Sequence, residues 1–78
     1  MLTLKDAEVN KKYKVVKING QGPLRRRIMD MGITKRTEIF VRKVAPLGDP
    51  IQINLRNYEL SLRKRDGEMI VVEEIWEI

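Results

Sequence analysis

The sequence predicts a small, mainly β domain: five strands curled into a barrel, with one short helix inserted after the first strand. Three observations carry this. Short runs of β-branched, aliphatic and aromatic residues, several alternating in polarity, are separated by Gly, Pro and Asn turn signals. One segment, Gly22-Pro23-Leu24-Arg25-Arg26-Arg27-Ile28-Met29-Asp30-Met31-Gly32, has helical spacing with both ends marked. Another, Ala45-Pro46-Leu47-Gly48-Asp49-Pro50, is a stiffened loop between two strands. Five strands in a chain of 78 residues must curl to bury one face, and closure removes exposed edges.

The elements follow in order. Thr3 to Ala7 suits a short turn. Lys12 to Asn19 is the first strand, with Tyr13 and Val15 on one side and Val16 and Ile18 on the other, so both faces carry apolar residues. Asn19-Gly20-Gln21-Gly22 breaks it. In the helix, Pro23 fits the first turn, where its missing N–H has no intrahelical partner. Gly32 fits the left-handed position past the end. Leu24, Ile28 and Met31 fall on one stripe, predicted to be buried, while Arg25, Arg26 and Met29 lie on the other side.

Thr37 to Val44 is the second strand, rich in Ile39, Phe40, Val41 and Val44. Ile51 to Arg56 alternates, with Ile51, Ile53 and Leu55 inward. Tyr58 to Arg63 places Tyr58, Leu60 and Leu62 on one face. Arg56-Asn57-Tyr58 is a tight reversal, because Asn57 tolerates a left-handed backbone. Arg63 to Gly67 reads as a polar turn, and Met69 to Val72 as the last strand. The whole of 1–78 is expected to form a single domain, with 73–78 as a C-terminal tail or strand extension. In the loop, Pro46 and Pro50 fix φ, Asp49 is pushed to an extended shape by the following proline, and Gly48 permits positive φ. Asp49 is suited to accept hydrogen bonds from loop N–H groups.

The charge is unevenly placed. Residues 1–65 hold all 16 Lys and Arg against six Asp and Glu, a surplus of ten, whereas residues 66–78 hold five acids and no base. A basic body favours acidic partners. The acidic end argues against a protein devoted to nucleic acid, so DNA is not expected as a partner. A small RNA-binding barrel is the rival reading, but Tyr13, Phe40, Tyr58 and Trp76 are the only aromatic residues and offer no stacking platform. No run approaches the roughly 20 apolar residues of a membrane span, and nothing marks a secretory signal, so a soluble cytoplasmic protein is expected.

The residue inventory points away from catalysis. The chain has no histidine and no cysteine, which removes the usual Zn, Cu and Fe–S ligand sets and the commonest general bases. Its one serine, Ser61, lies mid-strand without a nucleophile elbow. Gly20-Gln21-Gly22 lacks the third glycine and the lysine of a nucleotide loop. The carboxylates are scattered among bases, so no metal site, cofactor or enzymatic activity is expected. Two surfaces remain as candidates for binding a partner: the helix face Arg25, Arg26 and Met29, since Met and Arg are enriched at interfaces, and the loop Pro46, Leu47, Gly48, Asp49 and Pro50, since rigid loops on small scaffolds carry function.

Taken together these motifs resemble the FeoA family, small cytosolic accessory proteins of bacterial ferrous-iron transport. The matching elements are Tyr13-x-Val15-x-x-Ile18, Leu24-Arg25-Arg26-Arg27-Ile28-x-x-Met31-Gly32, Ala45-Pro46-Leu47-Gly48-Asp49-Pro50 and Leu60-x-Leu62-Arg63, and they run from about Leu4 to Val72. The resemblance implies an SH3-like barrel with an inserted helix. It also implies partnership with FeoB, the ferrous iron permease with a cytosolic G-domain, reached from the cytoplasmic side without membrane insertion. The family often has glycine where this chain has Arg36 and Asn57. A similar barrel forms the C-terminal domain of DtxR-type metalloregulators, of which this chain would be the detached module.

Overall fold

A computed structural model describes residues 2–76. The strands are β1 (Lys12–Ile18), β2 (Glu38–Val44), β3 (Ile51–Leu55), β4 (Tyr58–Leu62) and β5 (Ile70–Glu74), and the helices are α1 (Gly22–Asp30) and α2 (Lys64–Gly67). A 3₁₀ turn over Leu4–Asp6 precedes β1. The strands form one antiparallel sheet in the order β4-β3-β2-β1-β5. The sheet curls around a core that includes Leu4, Tyr13, Val15, Ile39, Val41, Ile53, Leu62 and Ile70, all 1% exposed or less. The outer edge of β5 is covered by the N-terminal segment: Val72 N–H donates to the Leu2 carbonyl at 2.9 Å, and Thr3 bridges Val71.

Why β1 shows apolar residues on both faces is explained by its pairing. Against β5 the register steps between Val15 and Lys17, leaving Val16 as an extra residue. That bulge reverses the alternation. Tyr13 and Val15 are buried, Val16 is exposed, and Ile18 returns to pack on the core. β2 repeats the device: its register against β3 steps between Val41 and Lys43, so Ile39 and Val41 point inward, Arg42 bulges out, and Val44 returns to the core.

The β3–β4 connection is a two-residue turn. Leu55 pairs with Tyr58, and both Arg56 (φ 49°) and Asn57 (φ 68°) are left-handed. This is the type I′ geometry whose twist matches the flanking strands. Arg36 is also left-handed at φ 75°, so Arg36 and Asn57, the two positions where the resemblance implies glycine, both have the backbone that glycine favours.

Three expectations are corrected. Leu24 is not buried but 37% exposed, because α1 is only nine residues long and meets the core at a single point, Ile28, which is 0% exposed. Met31 lies just past the helix and is half-buried, packing on the core from its rim. Arg63 to Gly67 is not a simple polar turn: Lys64–Gly67 forms the helical turn α2, with Asp66 and Gly67 buried. Gly67 must be small, since a Cβ there would meet the Lys5 backbone nitrogen at 3.2 Å and the Leu4 carbonyl carbon at 3.4 Å. β5 takes in Glu73 and Glu74, the start of the segment expected as a tail or strand extension.

Two stability measurements check this architecture. Ile28→Ala should destabilise the domain by about 2–5 kcal/mol, whereas Leu24→Ala should shift it by no more than about 0.5 kcal/mol. Equal effects in thermal melts would contradict a single-point attachment of α1. Asp66 is 3% exposed and pairs with Arg27, so Arg27→Met should leave an uncompensated buried carboxylate. Because half of the arginine side chain is open to solvent, the expected loss is about 1–3 kcal/mol, read by chemical denaturation.

Candidate functional site

The first candidate surface is the outward side of α1. The chain enters the helix through Gly22 at φ 65° and Pro23 in the first turn. Three attachments then orient it. Ile28 enters the core. Arg27 Nη2 donates to Asp66 Oδ1 at 2.6 Å. At the far end, the Tyr58 hydroxyl donates to the Met31 carbonyl. Gly32, at φ 95°, completes the exit, and a Cβ there would press on the Tyr58 hydroxyl at 2.7 Å. Both its left-handed backbone and this close approach call for glycine.

Fixing these contacts inward turns the remaining side chains out. Arg25, Arg26 and Met29 are exposed, with Leu24 beside them. Arg25 Nη1 lies 3.3 Å from Met29 Sδ, so guanidinium and thioether share one patch. Gly22, Arg25, Arg26, Met29 and Asp30 line a shallow open depression. Among the described residues neither Arg25 nor Arg26 is paired with a carboxylate. The surface is apolar at Leu24 and Met29 and cationic at its two free arginines, a composition suited to an acidic protein face.

The second candidate surface is the loop between β2 and β3. It is closed by Ala45 N–H donating to the Pro50 carbonyl at 3.1 Å and tightened by Gly48 N–H donating to the Ala45 carbonyl at 2.7 Å. Gly48 has φ 83°, and the Asp49–Pro50 peptide is cis. Asp49 was expected to accept from loop N–H groups; instead its Oδ1 accepts from Lys64 N–H, at the start of α2, at 3.1 Å. That is the capping role α2 lacks in its own sequence, since Arg63 supplies no side-chain cap. Pro46 and Pro50 are exposed, and Leu47 stands 91% exposed at the tip.

Both surfaces therefore reach α2, one through Asp66 and the other through Lys64. Sequence reading missed this link. Its one signal was Asp66 closing the basic run Arg63-Lys64-Arg65, with Arg27 adjacent in sequence to the buried Ile28.

At the other end of β5, Trp76 is 79% exposed, with Lys11 Nζ 6.0 Å from its ring centroid. Lys11 also lies 2.6 Å from Glu8 and 3.4 Å from Glu74. Its pKa is raised above the ordinary 10.5, chiefly by donation to the Glu8 carboxylate, with Glu74 adding to the attraction. Glu77 and Ile78, the rest of the expected tail, lie outside the described residues.

Comparison with known proteins places this architecture. Residues 2–74 match the FeoA domain. Over 59 residues, 76% of this chain, the sequence is 39% identical to a Fe(2+) transport protein A/Fe(2+) transporter FeoB fusion protein of Porphyromonas gingivalis, and the match spans 7% of that protein's length. The structure superposes on the FeoA-like protein from Clostridium acetobutylicum with a TM-score of 0.90 at 45% identity, covering 99% of this chain and 90% of that one. It also superposes on FeoA of Stenotrophomonas maltophilia, described as a prokaryotic SH3 domain protein, with a TM-score of 0.80 over 94% of this chain and 91% of that one. Identity there is 19%, so that likeness speaks to the SH3-like fold alone. With the family domain spanning nearly the whole chain and the inserted helix and proline-bounded loop in place, the chain belongs to the FeoA family.

Proposed function

We propose that this chain is a non-enzymatic accessory protein of ferrous-iron transport, acting on the cytoplasmic side by binding the cytosolic region of a FeoB-type permease and modulating it. The family supplies the pathway. The observation that carries the mode of action is the division of α1: Ile28, Arg27 and the Met31 carbonyl hold it to the barrel, leaving Arg25, Arg26 and Met29 facing solvent. The relative from Porphyromonas gingivalis is named as a fusion of the transport protein and the transporter. A covalent link keeps two modules at high effective concentration, whereas separate chains need a surface to find each other. A basic patch with an apolar thioether on a fixed helix provides one.

Binding should therefore depend on α1 without involving the core. Arg26→Glu is expected to weaken a complex with the permease's cytosolic domain while leaving the melting temperature nearly unchanged, since exposed substitutions usually shift stability by about 0.5 kcal/mol or less. Added salt should weaken the unmodified complex more than the variant one. A titration in which Arg25→Glu, Arg26→Glu and Met29→Ala together leave affinity unaltered would remove the helix face from the reading.

The same reading makes iron the permease's cargo. Among the described residues no three carboxylates come together in a metal-binding group. The isolated chain should bind Fe²⁺ more weakly than about micromolar under anaerobic calorimetry, because dispersed carboxylates supply too few oxygen ligands at any one point. Stoichiometric, tighter binding would overturn this.

A further inference from the structure

The end of the barrel that carries the β2–β3 loop has a charge pattern that the helix-face reading does not use. Two segments meet there. The loop Ala45 to Pro50 leaves β2 and enters β3, and Ile51 pairs with Leu62, so Arg63 and α2 emerge beside it. Leu47 stands 91% exposed at the tip of the loop.

The acids at this end are largely turned inward or paired. Asp66 is buried on Arg27, Glu68 holds Lys5 at 3.5 Å, and Asp49 accepts from Lys64 N–H. Asp6 alone has no partner among the described residues. By contrast, the side chains of Lys43, Arg63, Lys64 and Arg65 have no carboxylate partner among the described residues. The result is a rigid apolar knob standing among unpaired cations.

We propose that this end of the barrel is a contact surface for an anionic lipid bilayer, with Leu47 entering the interface and Lys43, Arg63, Lys64 and Arg65 at headgroup level. A lipid surface is favoured over an acidic protein by the form of the apolar part. Protein interfaces centre on a contiguous, desolvated apolar patch inside a polar rim. Here the exposed Leu47 is an isolated point between charges. That suits a bilayer interface, which accepts single apolar side chains and is itself the negative surface. The loop's internal hydrogen bonds hold Leu47 in place before contact, so little ordering is needed on binding.

The test uses the full chain and vesicles with no permease, so its outcome is separate from that of the helix-face titration. Co-sedimentation should show binding to vesicles containing about one-third phosphatidylglycerol and much weaker binding to pure phosphatidylcholine. Each cation at the surface is worth about fivefold in affinity. Arg63→Glu with Arg65→Glu should therefore reduce binding by two orders of magnitude or more, while Arg25→Glu with Arg26→Glu reduces it far less. Leu47→Ser should lower affinity by roughly tenfold without changing its salt dependence, as expected for loss of apolar insertion. Melting curves control for folding. In a Leu47→Trp variant, emission should shift to the blue on anionic vesicles, relative to a parent whose only tryptophan is Trp76.

Absence of binding to anionic vesicles at low salt would overturn the proposal. So would equal losses from the two arginine pairs, which would mean attraction by net charge alone. Binding to soluble polyglutamate as tight as to vesicles, and indifferent to Leu47→Ser, would assign the surface to an acidic protein instead.

Discussion

Asp66 is the point on which the arrangement turns. It lies at the end of a basic run, yet it is the carboxylate that folding buries, and its partner comes from a helix 39 residues away in sequence. Burying a carboxylate requires a cation and hydrogen bonds to replace the water it loses. Arg27 meets that requirement from α1, and in doing so it fixes which way α1 faces. The adjacent Gly67 brings the same turn against the Leu4 backbone, and Lys64 N–H receives Asp49 from the β2–β3 loop. Four residues of α2 thus orient the helix, the loop and the N-terminal segment together.

This convergence also shapes the surface field. Several acids of the basic body are spent on internal or local contacts: Asp49 on a backbone N–H, Glu8 on Lys11, Glu59 on Arg42 at 3.3 Å. What reaches solvent unpaired is weighted toward arginine and lysine, more strongly than the formal net charge of +5 conveys. Net charge counts residues; a partner meets only those left unneutralised at the surface it approaches.

Much of the fold was legible because local chemistry and tertiary structure agree. Ile51, Ile53 and Leu55 alternate cleanly, and β3 is buried at those positions. Gly32 and Asn57 mark left-handed turns, and both adopt them. Legibility failed where a contact was distant. Leu24 shares the stripe of Ile28 but stays exposed, since periodicity reports which side chains are aligned and not how far the core extends. Asp66 looked like the first residue of an acidic tail because its partner is remote in sequence. Of the candidate surfaces, the exposure of Arg25, Arg26 and Met29 followed from helix geometry. The role of Asp49 did not, because its donor belongs to another element.

The matching bulges in β1 and β2 have a consequence for how these strands tolerate change. In each, one surplus residue, Val16 or Arg42, converts an odd spacing of core positions into a continuous inward row. The strands behave like a sentence with a silent letter: drop it, and every later character still reads the same. Removing Arg42 would leave Val41, Lys43 and Val44 in plain alternation, with Lys43 still outward and Val44 still on the core, because the partner strand never counted the surplus residue. In this barrel, length and phase are separate inheritances, and the surplus residues add to the first without touching the second.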